Sequence, residues 1–298
     1  MTSVGFVGLG RLGAPIAGRL LAGGFPLAVY DTDAAAVEAL RARGARACSS
    51  AREVGDVASI VFLCLPSVEV SVATARELAQ GSACELLVET STIGRPGIER
   101  IAAVLAGSRV SLVDCPVSGG QAGALEGRLA ALVAAAPEHV ERLRPLLASF
   151  ASKVFVLGSQ PGLAQVCKLV NNVLSLTGLV VACEAIVVGV KAGLDAATMI
   201  DVVNASTGRN SATQEKFPRA ILPRNFDSGG AMAIGIKDLG LFLEEAQAQS
   251  ASAVSVAGSA DLVARAAQRF GTQADMTNLI RLVEELAGLD AQGRAPCQ

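Results

Sequence analysis

The sequence predicts an α/β protein in which a doubly wound, mainly parallel sheet is followed by an all-helical domain. Up to about residue 157, short apolar runs alternate with helix-type patterns, as expected for strand-helix-strand units. Pro161-Gly162 then interrupts the pattern, and strand-type alternation does not return. The 298 residues exceed the size at which one hydrophobic core usually stops growing. We therefore predict two domains, residues 1–161 and 162–298.

Each predicted strand is a short apolar run between helical or turn-forming segments. The runs cover residues 4–7, 27–30, 59–65, 86–89, 110–113, 129–134 and 154–157. From residue 163 the pattern is helical and begins with a long apolar helix, which we predict joins the two domains. Residues 169–190 of that helix contain a single charge, Glu184, but lack the basic flank and aromatic anchors of a membrane span. We predict a buried helix and no membrane partner.

Composition argues against several function classes. The net charge of −2, the sequence pI of about 5.6 and the lack of tryptophan argue against a nucleic-acid binder. The single histidine, His139, cannot supply a zinc site, so we predict no metal. Seven cysteines without a Cys-x-x-Cys pair indicate reduced thiols. Because the N-terminal residues also lack a secretory pattern, we predict a cytoplasmic protein.

Three glycines follow the first predicted strand. Gly8, Gly10 and Gly13 precede a helical segment, and in this context they allow a tight turn, close approach of a pyrophosphate, and helix-strand packing. Asp31 ends the second predicted strand, where a carboxylate can bind the ribose hydroxyls. No arginine stands at position 32 or 33 to accept a 2′-phosphate. The motif predicts a Rossmann-type domain that binds NAD, with NADP possible; the alternative is a glycine turn that binds no ligand.

A lysine lies inside the long apolar helix. Lys168 has apolar neighbours on both sides, so its ammonium group is predicted to lie in the interior or in a cleft. Asn172 follows one helical turn later on the same face. Burial lowers the pKa of a lysine toward the range that general acid/base chemistry needs. The pair could hold an oxygen-bearing ligand; the alternative is a lysine whose charged end reaches solvent.

These motifs resemble the β-hydroxyacid dehydrogenase family, which contains 3-hydroxyisobutyrate dehydrogenase and tartronate semialdehyde reductase. The resemblance extends over essentially the whole chain, and its most specific part is the sequence from Asp114 to Ala124, which is similar to the family's substrate-binding signature. The remaining matches are residues 8–17 with the cofactor signature, 65–66 and 88–92 with cofactor-side loops, 158–172 with the catalytic segment, and 237–239 with a late motif.

The resemblance implies hydride transfer between NAD(P) and a short 3-hydroxy acid or its semialdehyde, in a homodimer or homotetramer. It implies that Lys168 is the general acid/base and that Asn172 assists. The implied substrate-binding residues are Ser118, Gly119, Gly120 and Lys237. The implied cofactor-binding residues are Gly8, Gly10, Arg11, Leu12, Gly13, Asp31, Leu65, Pro66, Thr92, Lys237 and Asp238.

Two departures from the family pattern concern substrate size. Gly208-Arg-Asn-Ser211-Ala212 stands where relatives often carry Ser-Trp, and Gly229-Gly230 stands where they often carry Gly-Phe. Both changes remove bulk, which predicts a larger pocket. Three alternatives stay open: a phosphogluconate dehydrogenase, which is longer and has a histidine at the position of Asn171; an imine reductase, which usually lacks the lysine; and a non-catalytic cofactor-binding module.

Overall fold

The computed structural model describes residues 3–289 and residue 294. The chain divides into two compact units, Met1–Lys168 and Leu169–Gln298. The division falls within one helix, α8 (Leu163–Lys191), which begins in the first unit and continues into the second. The predicted boundary after residue 161 lies just before this helix begins.

The first unit is built on a six-stranded parallel sheet. Its strands are β1 (Val4–Val7), β2 (Leu27–Tyr30), β3 (Arg46–Ala47), β4 (Ile60–Leu63), β5 (Leu86–Glu89) and β6 (Ser111–Asp114). Their order is β3-β2-β1-β4-β5-β6, so the winding direction reverses between β1 and β4. In sheets of this kind ligands bind beyond the carboxyl ends of the strands at this reversal. This confirms the predicted doubly wound sheet.

A second, three-stranded sheet follows in the same unit. It contains β7 (Val117–Ser118), β8 (Leu129–Val133) and β9 (Ala151–Val156), in the order β7-β8-β9. The β7-β8 pair is antiparallel and the β8-β9 pair is parallel. The apolar runs predicted β8 and β9 but could not assign them to a separate sheet, because strand pairing is not encoded in a single run. β3 and β7 were not predicted, since two residues are too few to show alternation.

Seven helices cover the sheets of the first unit. They are α1 (Gly13–Ala22), α2 (Ala34–Arg41), α3 (Ala51–Val57), α4 (Val68–Ala79), α5 (Gly94–Leu105), α6 (Gly120–Glu126) and α7 (Pro137–Leu147). Serine and aspartate side chains cap several of them; for example, the Ser67 side chain accepts a hydrogen bond from Val70 N–H at the start of α4. In the core the Phe62 ring packs on Phe6 and on Phe150, with centroid distances of 6.0 and 5.9 Å, respectively.

The second unit is helical, as predicted. After α8 come α9 (Ala196–Asn204), a π-helix (Ala212–Ile221), α10 (Met232–Ala248), α11 (Val254–Phe270), a 3-10 turn (Met276–Asn278) and α12 (Leu279–Leu286). Its core includes Leu179, Cys183, Phe217, Met232 and Leu239, all buried.

Among the described helices, α8 alone has the length and apolar composition that a membrane span requires, and 44% of its most apolar stretch is buried. A core helix meets the same criteria. One face carries Lys168, Asn172 and Ser175 at the spacing i, i+4, i+7. The opposite face exposes apolar side chains, with Leu174 71% and Val188 69% exposed. The helix therefore separates a polar face from an exposed apolar one.

Candidate active site

The glycine turn connects β1 to α1 at the carboxyl edge of the sheet. Gly8 has a φ of +95°, and a Cβ there would collide with the carbonyl oxygen of Cys64. A Cβ on Gly13 would collide with the carbonyl oxygen of Gly8. Gly10 is exposed, and apart from its chain neighbours no described atom lies within 4 Å of where its Cβ would be. Protein packing thus requires the first and third glycines, and the second leaves room for a phosphate group.

Asp31 lies beside this turn at the end of β2. Its Oδ2 accepts a hydrogen bond from Leu9 N–H at 2.5 Å, and its Oδ1 accepts from Asp33 N–H at 2.8 Å. The carboxylate is therefore fixed next to the glycine turn. Arg11 is exposed in the turn, whereas Leu12 is half-buried and packs on the core.

The loops after β4 and β5 lie at the same edge of the sheet. Leu65 N–H donates to Ser91 Oγ at 2.7 Å, which ties the two loops together. Leu65 and Thr92 are half-buried and Pro66 is exposed. The side chain of Leu65 also lies close to Gly8. The structure thus places Leu65 beside the glycine turn and ties its loop to the residue before Thr92.

The predicted substrate-binding loop follows β6. Ser118 is half-buried, and Gly119 and Gly120 are exposed with φ values of +125° and +63°. A backbone in this region strongly favours glycine. The exposed glycine backbone leaves N–H groups accessible to an anion, which is consistent with the predicted carboxylate contact.

Asp114 anchors the beginning of α8 to the sheet. Its Oδ2 accepts hydrogen bonds from the backbone N–H groups of Gly162, Ala164 and Gln165 at 2.8, 3.1 and 3.2 Å. Burial raises the pKa of Asp114, and hydrogen bonds from Gln165 and the backbone oppose that rise. The carboxylate satisfies N–H groups that the first turn of a helix leaves without partners.

Gln165 completes this anchor and is fully buried. Its Nε2 donates to Asp114 Oδ1 at 2.9 Å and to the Ser91 carbonyl at 3.1 Å. Its Oε1 accepts from Ile93 N–H and Gly94 N–H at 2.9 and 3.0 Å. One side chain therefore joins the loop after β5 to the helix that carries Lys168.

Glu89 is a second buried carboxyl group at this edge, and it lies opposite Asp114 in the β5-β6 register. Its Oε1 accepts from Ser91 N–H at 2.8 Å. Burial raises the pKa of Glu89 to about 7, although hydrogen bonding from Ser91 acts in the other direction. Glu89 can thus change its protonation state near neutral pH. It lies at the end of β5, where the loop that carries Thr92 begins.

Lys168 lies in the second turn of α8 and is 7% exposed. This agrees with the burial that its apolar sequence neighbours predict. Asn172 lies one turn further on, in the second unit, and is half-buried. Because α8 is continuous between the two residues, helix geometry alone places both side chains on one face.

Asp238 on α10 orients the asparagine. Asn172 Nδ2 donates to Asp238 Oδ2 at 2.6 Å, and Asn171 Nδ2 donates to Asn172 Oδ1 at 3.1 Å. Lys237 Nζ donates to Asp238 Oδ1 at 2.7 Å. Asp238 is 2% exposed, so its charge is buried and paired. The late motif that was predicted only to lie near the site therefore contacts the predicted catalytic asparagine directly.

Burial makes two of the described thiols unreactive. The six described cysteines are free, and Cys297 lies outside the described residues. Burial raises the pKa of both Cys64 and Cys84 to about 12. Thiols of this kind are poor nucleophiles at neutral pH.

Sequence reasoning did not identify Gln165 or Glu89. Gln165 resembles the nearby exposed Gln160 in every property that a sequence displays. The signal that could have found Glu89 is a carboxyl group at the end of an otherwise apolar strand.

Family comparisons match both halves of the chain. Residues 3–158 match the family described as the NAD binding domain of 6-phosphogluconate dehydrogenase. Residues 162–283 match the family described as NAD-binding of NADP-dependent 3-hydroxyisobutyrate dehydrogenase. Both descriptions are of nicotinamide-cofactor enzymes.

Similar proteins cover nearly the whole chain. It is 32% identical over 296 residues to 2-(hydroxymethyl)glutarate dehydrogenase from Eubacterium barkeri, covering 97% of each chain. It is 34% identical over 264 residues to 3-hydroxyisobutyrate dehydrogenase from Pseudomonas aeruginosa, covering 85% of this chain and 88% of the other. The solved structure of 3-hydroxyisobutyrate dehydrogenase from Mycobacterium tuberculosis with L-serine is 28% identical, with a TM-score of 0.87, and the match covers 95% of this chain and 99% of that one.

Proposed function

We propose that this chain, which belongs to the β-hydroxyacid dehydrogenase family and is an NAD(P)-dependent hydroxyacid dehydrogenase, interconverts a short 3-hydroxy acid and its semialdehyde, with Lys168 as the general acid/base. The observation that carries the proposal is the buried lysine on one helix face with Asn172, whose amide is held by Asp238. Burial excludes water from the lysine, and the fixed amide gives a ligand one defined orientation.

The names of two relatives support the substrate class. One acts on 2-(hydroxymethyl)glutarate and the other on 3-hydroxyisobutyrate. Both compounds carry a hydroxymethyl group on the carbon next to a carboxylate. We infer that the substrate of this chain has the same arrangement, with a hydroxymethyl group and a carboxylate on the same carbon.

The residues at the sheet edge fit a dinucleotide. Gly8, Gly10 and Gly13 would hold the pyrophosphate at the start of α1, and Asp31 would bind the ribose hydroxyls. When bound, the nicotinamide supplies the hydride acceptor or donor. A carboxylate at the ribose repels a 2′-phosphate, so we expect NAD to give at least about tenfold higher kcat/KM than NADP. Steady-state rates with each cofactor test this preference, and a higher value with NADP would contradict it.

Lys168 handles the proton in this mechanism. In the oxidation direction its neutral Nζ accepts the proton of the substrate hydroxyl and becomes an ammonium group; in reduction the ammonium returns that proton to the carbonyl oxygen. Asn172 would position the reacting oxygen of the substrate through its side-chain amide. Asp238 accepts a hydrogen bond from Nδ2 of that amide and so fixes its orientation. Lys237 balances the charge of Asp238 and keeps its proposed role as a substrate- and cofactor-binding residue.

The substrate carboxylate would bind at Ser118-Gly119-Gly120. The serine hydroxyl and accessible backbone N–H groups suit an oxyanion, and the missing Cβ atoms allow close approach. Thr92, Leu65 and Pro66 would line the nicotinamide side. Arg11 and Leu12 would flank the pyrophosphate.

We also propose a homo-oligomer in the cytoplasm. The exposed apolar face of α8, with Leu174, Val181 and Val188 at heptad spacing, is the kind of surface that self-association covers. The free, buried thiols are typical of a reducing compartment.

The test is a spectrophotometric screen at the nicotinamide absorbance with both cofactors. The panel contains 3-hydroxyisobutyrate, its homologues with larger groups on the same carbon, glycerate, tartronate semialdehyde, threonate and serine. We expect turnover of at least one acid with a hydroxymethyl group next to the carboxylate-bearing carbon. Binding of NADH without turnover of any compound would instead support a non-catalytic module.

The imine reductase alternative has no support from the site. A Streptomyces aurantiacus imine reductase structure is 18% identical with a TM-score of 0.63, which shows a shared fold alone. Lys168 is present and buried in this chain, and a proton-transfer lysine is what an alcohol-aldehyde interconversion needs.

A further inference from the structure

Lys216 is a partly buried lysine that the mechanism above does not use. Of the other four lysines, Lys153 and Lys191 are exposed, and Lys168 and Lys237 belong to the proposed site. Lys216 lies in the π-helix and is half-buried. A half-buried ammonium group requires compensation from nearby charges or hydrogen bonds.

The contacts of Lys216 are hydroxyl groups. Its Nζ donates to Ser175 Oγ at 3.3 Å, and Ser175 Oγ lies 3.0 Å from Ser211 Oγ. No carboxylate of the described chain forms an ion pair with Lys216. Glu215 and Asp275 act on it from a distance, and Asp275 already accepts hydrogen bonds from backbone N–H groups, including Gly229 at 2.8 Å and Gly230 at 3.1 Å. Burial lowers the pKa of Lys216, because these two carboxylates do not fully offset the loss of hydration.

The segment that carries Lys216 is unusual and well braced. A π-helix is rare and is frequently found at functional sites, and this one spans the ten residues Ala212–Ile221. Asn210 Oδ1 accepts from Ala212 N–H at 2.8 Å and from Thr213 N–H at 3.2 Å, which fixes the turn that holds Ser211. Asn210 therefore fixes the turn that carries Ser211, and the contacts of Ser175 with Ser211 and Lys216 join this turn and the π-helix to α8.

This cluster lies along the polar face of α8. Ser175 follows Asn172 by three residues and Lys168 by seven, so it is on the same face as both. The rise of an α-helix puts it about 4.5 Å beyond Asn172 and about 10 Å beyond Lys168 along the helix axis. A short carbon chain with a hydrogen-bonding group at each end can span such a distance.

We propose that Ser175, Ser211 and Lys216 form a second anion subsite, which binds a distal carboxylate of the substrate and makes this enzyme selective for hydroxy dicarboxylic acids. The inference rests on the proposed function, since it assumes that the substrate hydroxyl is at Lys168. One cation and the free proton of the Ser175-Ser211 hydroxyl pair match one carboxylate in charge and in hydrogen bonds. Gly229 and Gly230 donate to Asp275, one of the two carboxylates that act on Lys216, and apart from their chain neighbours no described atom lies within 4 Å of their Cβ positions.

The experiment compares two acids that differ in one group. The first is 3-hydroxyisobutyrate. The second is 2-(hydroxymethyl)glutarate, which is the same acid with its methyl group replaced by carboxyethyl. Wild-type enzyme should prefer the diacid, and the ratio of the two kcat/KM values should fall about 10- to 100-fold in Lys216→Met, the range expected for a lost charge-assisted hydrogen bond. Lys191→Met removes an exposed lysine at the end of α8, the helix that carries Ser175, and should leave the ratio unchanged. Lys216→Arg should restore most of the preference.

Each result separates the subsite from the proposed function. Turnover of 3-hydroxyisobutyrate with no preference for the diacid, or an unchanged ratio in Lys216→Met, would overturn the subsite while leaving the dehydrogenase intact. If neither acid were turned over, the binding of glutarate by calorimetry would still decide: weaker binding to Lys216→Met supports the subsite, and equal or absent binding overturns it. If Lys216→Met failed to fold by circular dichroism, Ser175→Ala, which keeps the charge, should lower the ratio by a few fold.

Discussion

Two polar clusters lie along α8, and they differ in how fully the protein itself satisfies them. At the beginning of the helix, Asp114 accepts four hydrogen bonds and Gln165 uses both ends of its amide. Further along, the ammonium group of Lys216 meets the Ser175 hydroxyl and forms no ion pair within the part of the chain that the structure describes. Buried groups with all partners present rigidify a fold, whereas a half-buried cation whose nearby carboxylates only partly offset its lost hydration is suited to an anionic ligand. The first cluster holds the helix, and the second is available for substrate.

The largest effect should come from the reactive residue between these clusters. Replacing Lys168 by methionine should lower kcat by about 10²- to 10⁴-fold, because the group that transfers the proton is lost. Titration with NADH should show unchanged cofactor affinity. Lys153→Met, at an exposed lysine on β9, is the matched control and should retain full activity. A Lys168→Met enzyme of near wild-type rate would contradict the assignment.

Breaking the satisfied cluster should reduce stability. Gln165→Leu keeps the side chain buried but leaves the N–H groups of Ile93 and Gly94 and one Asp114 oxygen without their partner. We expect a loss of about 3 kcal/mol in the free energy of unfolding, measured in urea. Gln160→Leu changes an exposed glutamine and should cost far less. A loss below about 0.5 kcal/mol in Gln165→Leu would show that the anchor is not structural.

Glu89 tests the comparison of the two clusters from another side, because its carboxyl group is buried at the sheet edge near Asp114 and burial disfavours its charged form. Its folded pKa of about 7 lies above the ordinary value of 4.5, so the fold favours the protonated form. The stability that this provides is present below pH 4.5 and is lost as pH rises through 7. The amide side chain introduced by Glu89→Gln cannot ionise. The free energy of unfolding of this variant should therefore exceed that of wild type by about 2–3 kcal/mol at pH 8 and match it near pH 4.5.

The measurement for Glu89 is the free energy of unfolding by urea across that pH range. Glu85→Gln is the matched control, because Glu85 is an exposed glutamate just before the same strand. A wild-type profile that is parallel to the Glu89→Gln profile would mean that Glu89 does not titrate in this interval.

The sequence specified the local structure of this protein well. Short apolar runs located most of the strands, and the spacing of Gly8, Gly10 and Gly13 identified a turn whose first and third glycines the structure requires. The apolar neighbours of Lys168 predicted its burial, because a helix face is determined by residues within two turns. The family followed from such local motifs. The individual roles of the site residues remain predictions.

Only the tertiary structure showed which distant groups meet. The separate sheet of β7, β8 and β9, the contact between Asn172 and Asp238, and the proximity of Lys216 to Ser175 each join segments that are far apart in the chain. No local pattern distinguishes Gln165 from Gln160 or Lys216 from Lys191, since hydrogen-bond partners and burial are decided by packing between elements. Short-range periodicity therefore determined the elements and their motifs, and long-range packing determined which polar groups are satisfied and which remain for a ligand.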